Sequence, residues 1–386
     1  VKRPNPILFG TLGFLLKGYA YFKGQRITRK VKLTEPSIVL SNHTSFHDFV
    51  YTTAAIYPKR VNYLAADKMF YDPLLGFFLR LARAIPKCLF QSDLKATMAA
   101  LGIIKQGGIL SVFPEGQISP IGVSLPYNPA IAKLVKKAKV PLYVIRHQGA
   151  YLVNPPWSKK TFKGKIETVI DLIATKEEVQ SLSEQALLDK ITDALSFNTH
   201  VYASKNQIQV KLKDIDNLES VIYRCPSCGN NHLESQKTKL VCPDCHSEFL
   251  YGSSGKIGGF QIDELYHDQE HEIQNQMDTD SNFHLSSPVR LETYRGNRVV
   301  DVGEGVLILD KSGYHFSGSV DNQPTVYEFK PDHIPTLPSD LGRNVQIYEG
   351  YTLFQFVMED RRLPTQFVIA GEYLHQISIK NQKSSL

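Results

Sequence analysis

Two short apolar runs, Ser37-Ile38-Val39-Leu40 and Gly108-Ile109-Leu110-Ser111-Val112-Phe113, each lead directly into a polar turn. An apolar run of this length bounded by turn residues predicts a strand buried on both faces. Such strands belong to sheets covered by helices on each side. The intervening sequence supplies them. Phe49 to Tyr57 reads as a helix, Val61 to Ala65 as a strand, and Asp93 to Lys105 as a helix. Asn128 to Lys139 is a basic amphipathic helix leading into a strand at Val140 to Ile145; a strand over Ile166 to Ile173 and a helix over Lys176 to Leu195 follow. Strands alternating with helices predict an α/β domain with a mainly parallel sheet.

The first turn reads Ser41-Asn42-His43-Thr44-Ser45-Phe46-His47-Asp48. His43 and Asp48 are five positions apart, about 140° around an ideal helix, so one helix cannot aim both at one site. A strand–turn–helix junction can. Ser45-x-x-Asp48 fits a capping box and predicts a helix that starts at Ser45. Attack on an acyl carbonyl by an alcohol needs a base for the hydroxyl proton. A neutral imidazole serves, with a carboxylate on its other nitrogen to set tautomer and orientation. The same residues also satisfy a plainer account, in which Asp48 and Ser45 cap a helix and His43 is a loop histidine.

The second run ends in Pro114-Glu115-Gly116. In open α/β sheets, sites form beyond the carboxyl ends of strands, so the two turns can share one cleft. Together they resemble the glycerolipid (1-acylglycerol-3-phosphate, or lysophospholipid) acyltransferase family over roughly residues 1–200. The family's N-H-x-S-x-x-D motif is met by Asn42, His43, Ser45 and Asp48, and its F-P-E-G motif by Phe113 to Gly116. Val140-Pro141-Leu142-Tyr143-Val144-Ile145 is similar to its Val-Pro strand. The resemblance implies His43 as general base and Asp48 as its orienter, with Asn42, Ser45, Glu115 and Gly116 shaping the site and contacting substrate. It implies an acyl thioester donor (acyl-CoA or acyl-ACP) and a lysophospholipid acceptor, foremost 1-acylglycerol-3-phosphate. Two departures bear on that acceptor. The second motif normally carries an Arg, and Ala84-Ile85-Pro86-Lys87-Cys88-Leu89 has none; the third normally reaches another, where this chain has Gln117-Ile118-Ser119. Arginine binds phosphate bidentately, so Lys87, Arg146 and His147 are the candidates to replace them. A different lipid acceptor, or a lipid-binding adaptor on a vestigial enzyme fold, is the alternative; the intact His43, Asp48 and Glu115 oppose the adaptor.

Charge placement suggests where the chain works. Residues 1–40 hold eight Lys and Arg against Glu35 alone, whereas the whole chain is only +6. A zinc-ribbon nucleic-acid binder is at odds with the near-neutral remainder, so no nucleic acid is expected as a partner. Pro6 to Leu16 is apolar and uncharged, too short for a bilayer core that takes about twenty residues. A basic flank beside an apolar, aromatic segment predicts a helix lying in an anionic membrane surface, placing the enzyme peripherally on the cytoplasmic face of a membrane. A helix packed on its own domain is the simpler alternative. Met69 to Leu79 is rich in large apolar groups that suit either core or a second membrane-facing surface.

At 386 residues more than one domain is expected. We expect an acyltransferase domain over 1–215, a zinc ribbon over 216–255, and a linker helix with a β-rich module over 256–386. The ribbon rests on Cys225-Pro226-Ser227-Cys228 and Cys242-Pro243-Asp244-Cys245, thirteen residues apart. Two such knuckles make a closed four-thiolate site suited to structural Zn2+; iron and disulfides are the competitors. His246 is surplus as a ligand, and Cys88 reads as a small core residue. His267-x-x-Glu270-His271 fits a metalloprotease pattern, but its surroundings are those of a solvated helix. Strands are expected at Val289 to Tyr294, Val306 to Leu309, Tyr314 to Ser317, Val326 to Phe329, Asn344 to Tyr348, Thr352 to Val357 and Gln366 to Ile369. With a terminal helix over Glu372 to Ile379, they resemble a pleckstrin-homology or GRAM-like module.

Overall fold

The computed structural model describes residues 1–88, 93–212, 214–296, 298–350 and 352–384. The chain divides into two compact units: residues 1–156, 160–212 and 253–255 in the first, and 157–159, 213–252 and 256–386 in the second.

The first unit runs α1 (Pro6–Phe22), β1 (Gln25–Arg29), β2 (Ser37–Ser41), α2 (Asp48–Ile56), β3 (Val61–Ala66), a 3-10 turn at Asp67–Phe70, α3 (Pro73–Leu81), β4 (Ile85–Lys87), α4 (Leu94–Lys105) and β5 (Ile109–Val112). It continues with α5 (Ala130–Ala138), β6 (Leu142–Gln148), α6 (Ala150–Val153), β7 (Ile166–Ala174), α7 (Lys176–Ser181), α8 (Glu184–Leu195) and α9 (Thr199–Lys205). The strands form one sheet in the order β1-β7-β6-β2-β5-β3-β4. Every pairing is parallel except β6 with β7. As the apolar run requires, β2 is buried along its whole length. Its side chains alternate between two cores. Ile38 and Leu40, with Leu110, Val112, Leu142 and Val144, meet α4, α5 and α8. Val39, with Ile109, Tyr143 and Ile145, meets Ala55 and Ile56 of α2.

The order of the strands places the site. β2 lies between β6 and β5, and Leu40 stands opposite Val112. The turns that follow β2 and β5 therefore leave the same edge of the sheet side by side. After β5 the chain crosses to the far side of β2, and a crevice opens at such a reversal. The single helix expected over Lys176 to Leu195 is two helices. Thr175 and Glu178 form a capping box for α7, and Ser183 caps α8; a second cap inside the run starts a new helix.

In the second unit β8 (Glu234–Gln236), β9 (Lys239–Val241) and β10 (Glu248–Leu250) make a small antiparallel sheet. α10 (Ile262–Thr279) follows. Then come β11 (His284–Arg295), β12 (Arg298–Asp310), β13 (Gly313–Val320), β14 (Gln323–Phe329), β15 (Ser339–Asp340), β16 (Asn344–Glu349), β17 (Thr352–Met358) and α11 (Leu363–Ser384). These strands form one antiparallel sheet in the order β14-β13-β12-β11-β17-β16-β15. The strand expected at Gln366 to Ile369 is instead part of α11. Phe367, Ala370 and Leu374 are buried at helical spacing, and that period overrides the local β-branched run. His267 and Glu270 pair with each other on the exposed side of α10 at 2.6 Å. Among the described residues they join no group able to hold a metal.

Candidate active site

His43 and Asp48 meet as the spacing requires, one on the turn and one at the start of α2. Nδ1 of His43 lies 3.1 Å from Oδ2 of Asp48. The same carboxylate oxygen accepts the backbone N–H groups of Thr44, at 2.7 Å, and Ser45, at 2.8 Å. Asp48 is fully buried, while the His43 side chain is 19% exposed. Nε2 is thus the nitrogen left for an incoming group. Half of the expected capping box exists, since Asp48 takes the Ser45 amide. The reciprocal half does not: the helix starts at Asp48 with His47 as its cap residue, and the Ser45 hydroxyl accepts the His47 amide at 3.1 Å. The chain between them is wound around the carboxylate and not into a first helical turn.

Glu115 joins the second turn to the first. Its Oε1 accepts the His43 backbone N–H at 2.9 Å, and its Oε2 accepts that of Leu125 at 3.0 Å. The Ser119 amide donates to the His43 carbonyl at 2.9 Å, and the Phe113 ring stacks on the imidazole with centroids 4.3 Å apart. His43 is therefore held by its amide, its carbonyl, its ring face and Nδ1. Gly116, at φ 76, turns the chain away, and a Cβ there would meet nothing within 4 Å. That leaves open space beside the imidazole's support.

Burial pushes the Glu115 carboxyl up to about 8, against the Leu125 and His43 amides, which pull it down. A carboxyl raised in the folded state holds its proton more tightly folded than unfolded. Its stabilising contribution is whole below the ordinary carboxylate range, about 4.3, and is lost as pH rises through about 8. Glu115→Gln should therefore flatten the fall in thermal midpoint between about pH 6.5 and pH 8, above the ordinary histidine range. Melting curves with the same pH slope for both proteins would contradict this.

Behind the dyad lies a buried polar layer that sequence reasoning assigned differently. Asn42 and Ser45 are both fully buried, so they support the site from behind and do not line it. The Asn42 side-chain oxygen accepts the His147 amide at 2.8 Å. His147 is itself fully buried, with Nε2 on the Thr52 hydroxyl at 2.8 Å and Nδ1 on that of Thr168 at 3.0 Å. Burial holds its imidazole down to about 4. A neutral ring closed off from solvent cannot take the place of a phosphate-binding arginine, which corrects that expectation. Arg146, on the other face of β6, donates to the Ala194 carbonyl in the last turn of α8 at 2.8 Å. Lys87 ends β4 on the same edge of the sheet as His43, with its Nζ 3.0 Å from the Cys88 carbonyl. Leu89, which completes that motif, lies outside the described residues.

The family model described as "Acyltransferase" matches residues 22–148, which span both turns. Residues 22–148 thus match an acyltransferase family related to the 1-acyl-sn-glycerol-3-phosphate acyltransferases. Among curated relatives, the 1-acyl-sn-glycerol-3-phosphate acyltransferase of Bacillus subtilis (strain 168) is 23% identical over 176 residues, covering 45% of this chain and 85% of that protein. Among solved structures, the 1-acyl-sn-glycerophosphate (LPA) acyltransferase PlsC of Thermotoga maritima covers 48% of this chain and 75% of its own, at 18% identity and a TM-score of 0.40. An SsgA-like sporulation-specific cell division protein of Thermobifida fusca covers 28% of this chain and 98% of its own, at 14% identity and a TM-score of 0.17.

The four cysteines of the second unit also come together. Cys225 and Cys245 have sulfurs 3.6 Å apart, Cys228 and Cys242 3.7 Å, and all four lie within 4.8 Å of one another. Sulfurs about 2.3 Å from a central tetrahedral ion stand about 3.8 Å from each other, so the cluster is of a size to hold a metal ion. These sulfurs are too far apart for disulfides. Gly229 and His246, each following the second cysteine of a knuckle, both have left-handed backbones at φ 80 and φ 59. His246 is therefore a turn residue. Cys88, expected in the core, is partly exposed and its thiol faces Asp67 Oδ2 at 3.4 Å. No helix among the described residues is long and apolar enough to cross a membrane.

Proposed function

We propose that the acyltransferase unit moves a fatty acyl group from a thioester of coenzyme A or acyl carrier protein onto the hydroxyl of a lysophospholipid, with 1-acylglycerol-3-phosphate as the foremost acceptor. The acceptor hydroxyl sits at Nε2 of His43. As its oxygen attacks the thioester carbonyl, the proton passes to the imidazole. Asp48 fixes the tautomer and stabilises the imidazolium. The tetrahedral intermediate collapses with loss of the thiolate, which recovers the proton as a thiol. Ester and thiol are the products, and no acyl-enzyme is needed. The observation that carries this reading is the Glu115 bridge, which makes one site of the two turns by holding the His43 backbone. A helix-capping histidine needs no such support.

The enzyme works, in this reading, peripherally on the cytoplasmic face of a membrane. Zinc is the metal proposed for Cys225, Cys228, Cys242 and Cys245; when bound it closes the two knuckles and takes no part in acyl transfer. Lys87 is the proposed contact for the acceptor phosphate, because it ends β4 on the same edge of the sheet as His43. A hydrogen bond to a charged group is worth about 1.5–3 kcal/mol. Lys87→Met should therefore lower kcat/KM roughly 10- to 150-fold for phosphate-bearing acceptors and leave a monoacylglycerol nearly unchanged. Steady-state assays of purified wild type and variant, with acyl-CoA and both acceptors, decide it. Equal loss on both acceptors would remove Lys87 from the phosphate. A wild type that prefers the uncharged acceptor would remove the phosphate from the substrate.

A further inference from the structure

The acyltransferase unit exposes adjoining apolar side chains along α1 and α3. Ile7, Phe14, Leu15 and Phe22 on the first helix and Leu74, Phe77 and Phe78 on the second are all exposed. Such residues scattered singly are ordinary. Here Ile7 and Phe77 meet in a groove of about 690 Å³, walled also by Leu8 from α1 and Leu81 from α3. Two cations, Arg80 and Arg83, share its lining, and no carboxylate does.

Arg83 breaks a local rule. Its backbone is left-handed, at φ 56, where glycine or asparagine is favoured and a long side chain is costly. Asn62 fixes that turn by donating to the Arg83 carbonyl at 2.9 Å. Among the described residues no ion pair or side-chain hydrogen bond engages the guanidinium. Arg80 is held in place by a bond to the Phe70 carbonyl at 2.6 Å. It passes over Gly76, where a Cβ would crowd both groups. Arg83 is exposed, so its guanidinium is open to a ligand in the groove beside Arg80.

The groove is separate from the dyad. Arg83 precedes β4, and β4 runs parallel to β3, β5 and β2. The groove therefore lies at the edge where these strands begin, whereas His43 follows the end of β2. An amphiphile with an anionic head fits such a lining. A free phosphate would leave the apolar walls bare, and a neutral lipid would leave the Arg83 guanidinium without a counter-charge.

We propose that this groove binds one anionic phospholipid of the bilayer, its acyl chain between the walls and its phosphate at Arg83 and Arg80. The proposal rests on the reading of the chain as a lipid acyltransferase. The test is equilibrium binding of the full chain to vesicles of phosphatidylcholine alone and with added phosphatidylglycerol. Wild type should bind the anionic vesicles more tightly, and Arg83→Gly should weaken that binding about fivefold. Its thermal midpoint should hold or rise, because glycine relieves the left-handed turn. Phe77→Ser should weaken binding to both vesicle types. Arg83→Gly that binds like wild type, or that loses stability together with binding, overturns the proposal. So does displacement from vesicles by inorganic phosphate beyond that by chloride at equal ionic strength, which would assign the arginines to a free anion. Acyl transfer to a detergent-dispersed acceptor is measured on the same proteins and should be unchanged by Arg83→Gly. A wild type without transfer defeats the enzymatic reading and leaves the vesicle result standing.

Discussion

His43→Ala should reduce turnover by about 100- to 10,000-fold, the usual cost of removing a general base, while far-ultraviolet circular dichroism stays that of wild type. The fold should survive because the contacts tying this turn to the second one run through the His43 main chain. Its amide is held by Glu115 and its carbonyl by Ser119, and alanine keeps both. What is lost is the ring between Asp48 and Phe113. Asp48→Asn makes a sharper comparison. Asparagine retains an oxygen for the Thr44 and Ser45 amides but not the charge that stabilises an imidazolium, so turnover should fall severely with the turn intact. Wild-type turnover in His43→Ala would end the proposed mechanism, whatever the acceptor.

The second large effect concerns the cysteines. Elemental analysis should find one zinc per chain, lost in the double variant Cys225→Ser with Cys242→Ser. One sulfur is removed from each knuckle, so neither can hold the ion alone. Binding of structural zinc is worth about 10–16 kcal/mol in small zinc domains and is inseparable from their folding. The short strands β8, β9 and β10 have three residues each, too few to persist alone. Hydrogen exchange should therefore lose its protection over roughly residues 225–250 in the variant. Acyl transfer per folded molecule should change little. Wild-type protein that is free of metal, yet protected there, would show that the thiols hold this segment without an ion.

The dyad was legible because it is local: two side chains five positions apart across a strand–turn–helix junction. Glu115 was legible only as part of a motif. Its hold on His43 and Leu125 depends on β5 lying against β2, which sequence periodicity does not report. His147 was misread because a basic residue at a strand end suggests exposure. Its actual environment is set by Thr52 and Thr168, neither of them close in sequence. Gln366 to Ile369 was misread because four residues cannot display a helical period that only Leu374 completes. The outline of the sheets was easier. Apolar runs and their flanking turns mark strands well, but not their order.

Glu115 and His147 have a joint consequence for the folding reaction itself. Glu115 is raised to about 8 and His147 lowered to about 4, and each is buried in its uncharged form. An unfolded chain has both near their ordinary values, about 4.3 and 6.5. Between those two values the unfolded chain carries its proton on the histidine and the folded one carries it on the glutamate. Folding then relocates a proton within the molecule and exchanges none with solvent for this pair, so their opposing pH slopes cancel. Above about pH 6.5 the unfolded histidine has released its proton and the compensation ends. From there to about 8, forming the active site draws one proton from solution, and alkalinity alone works against it.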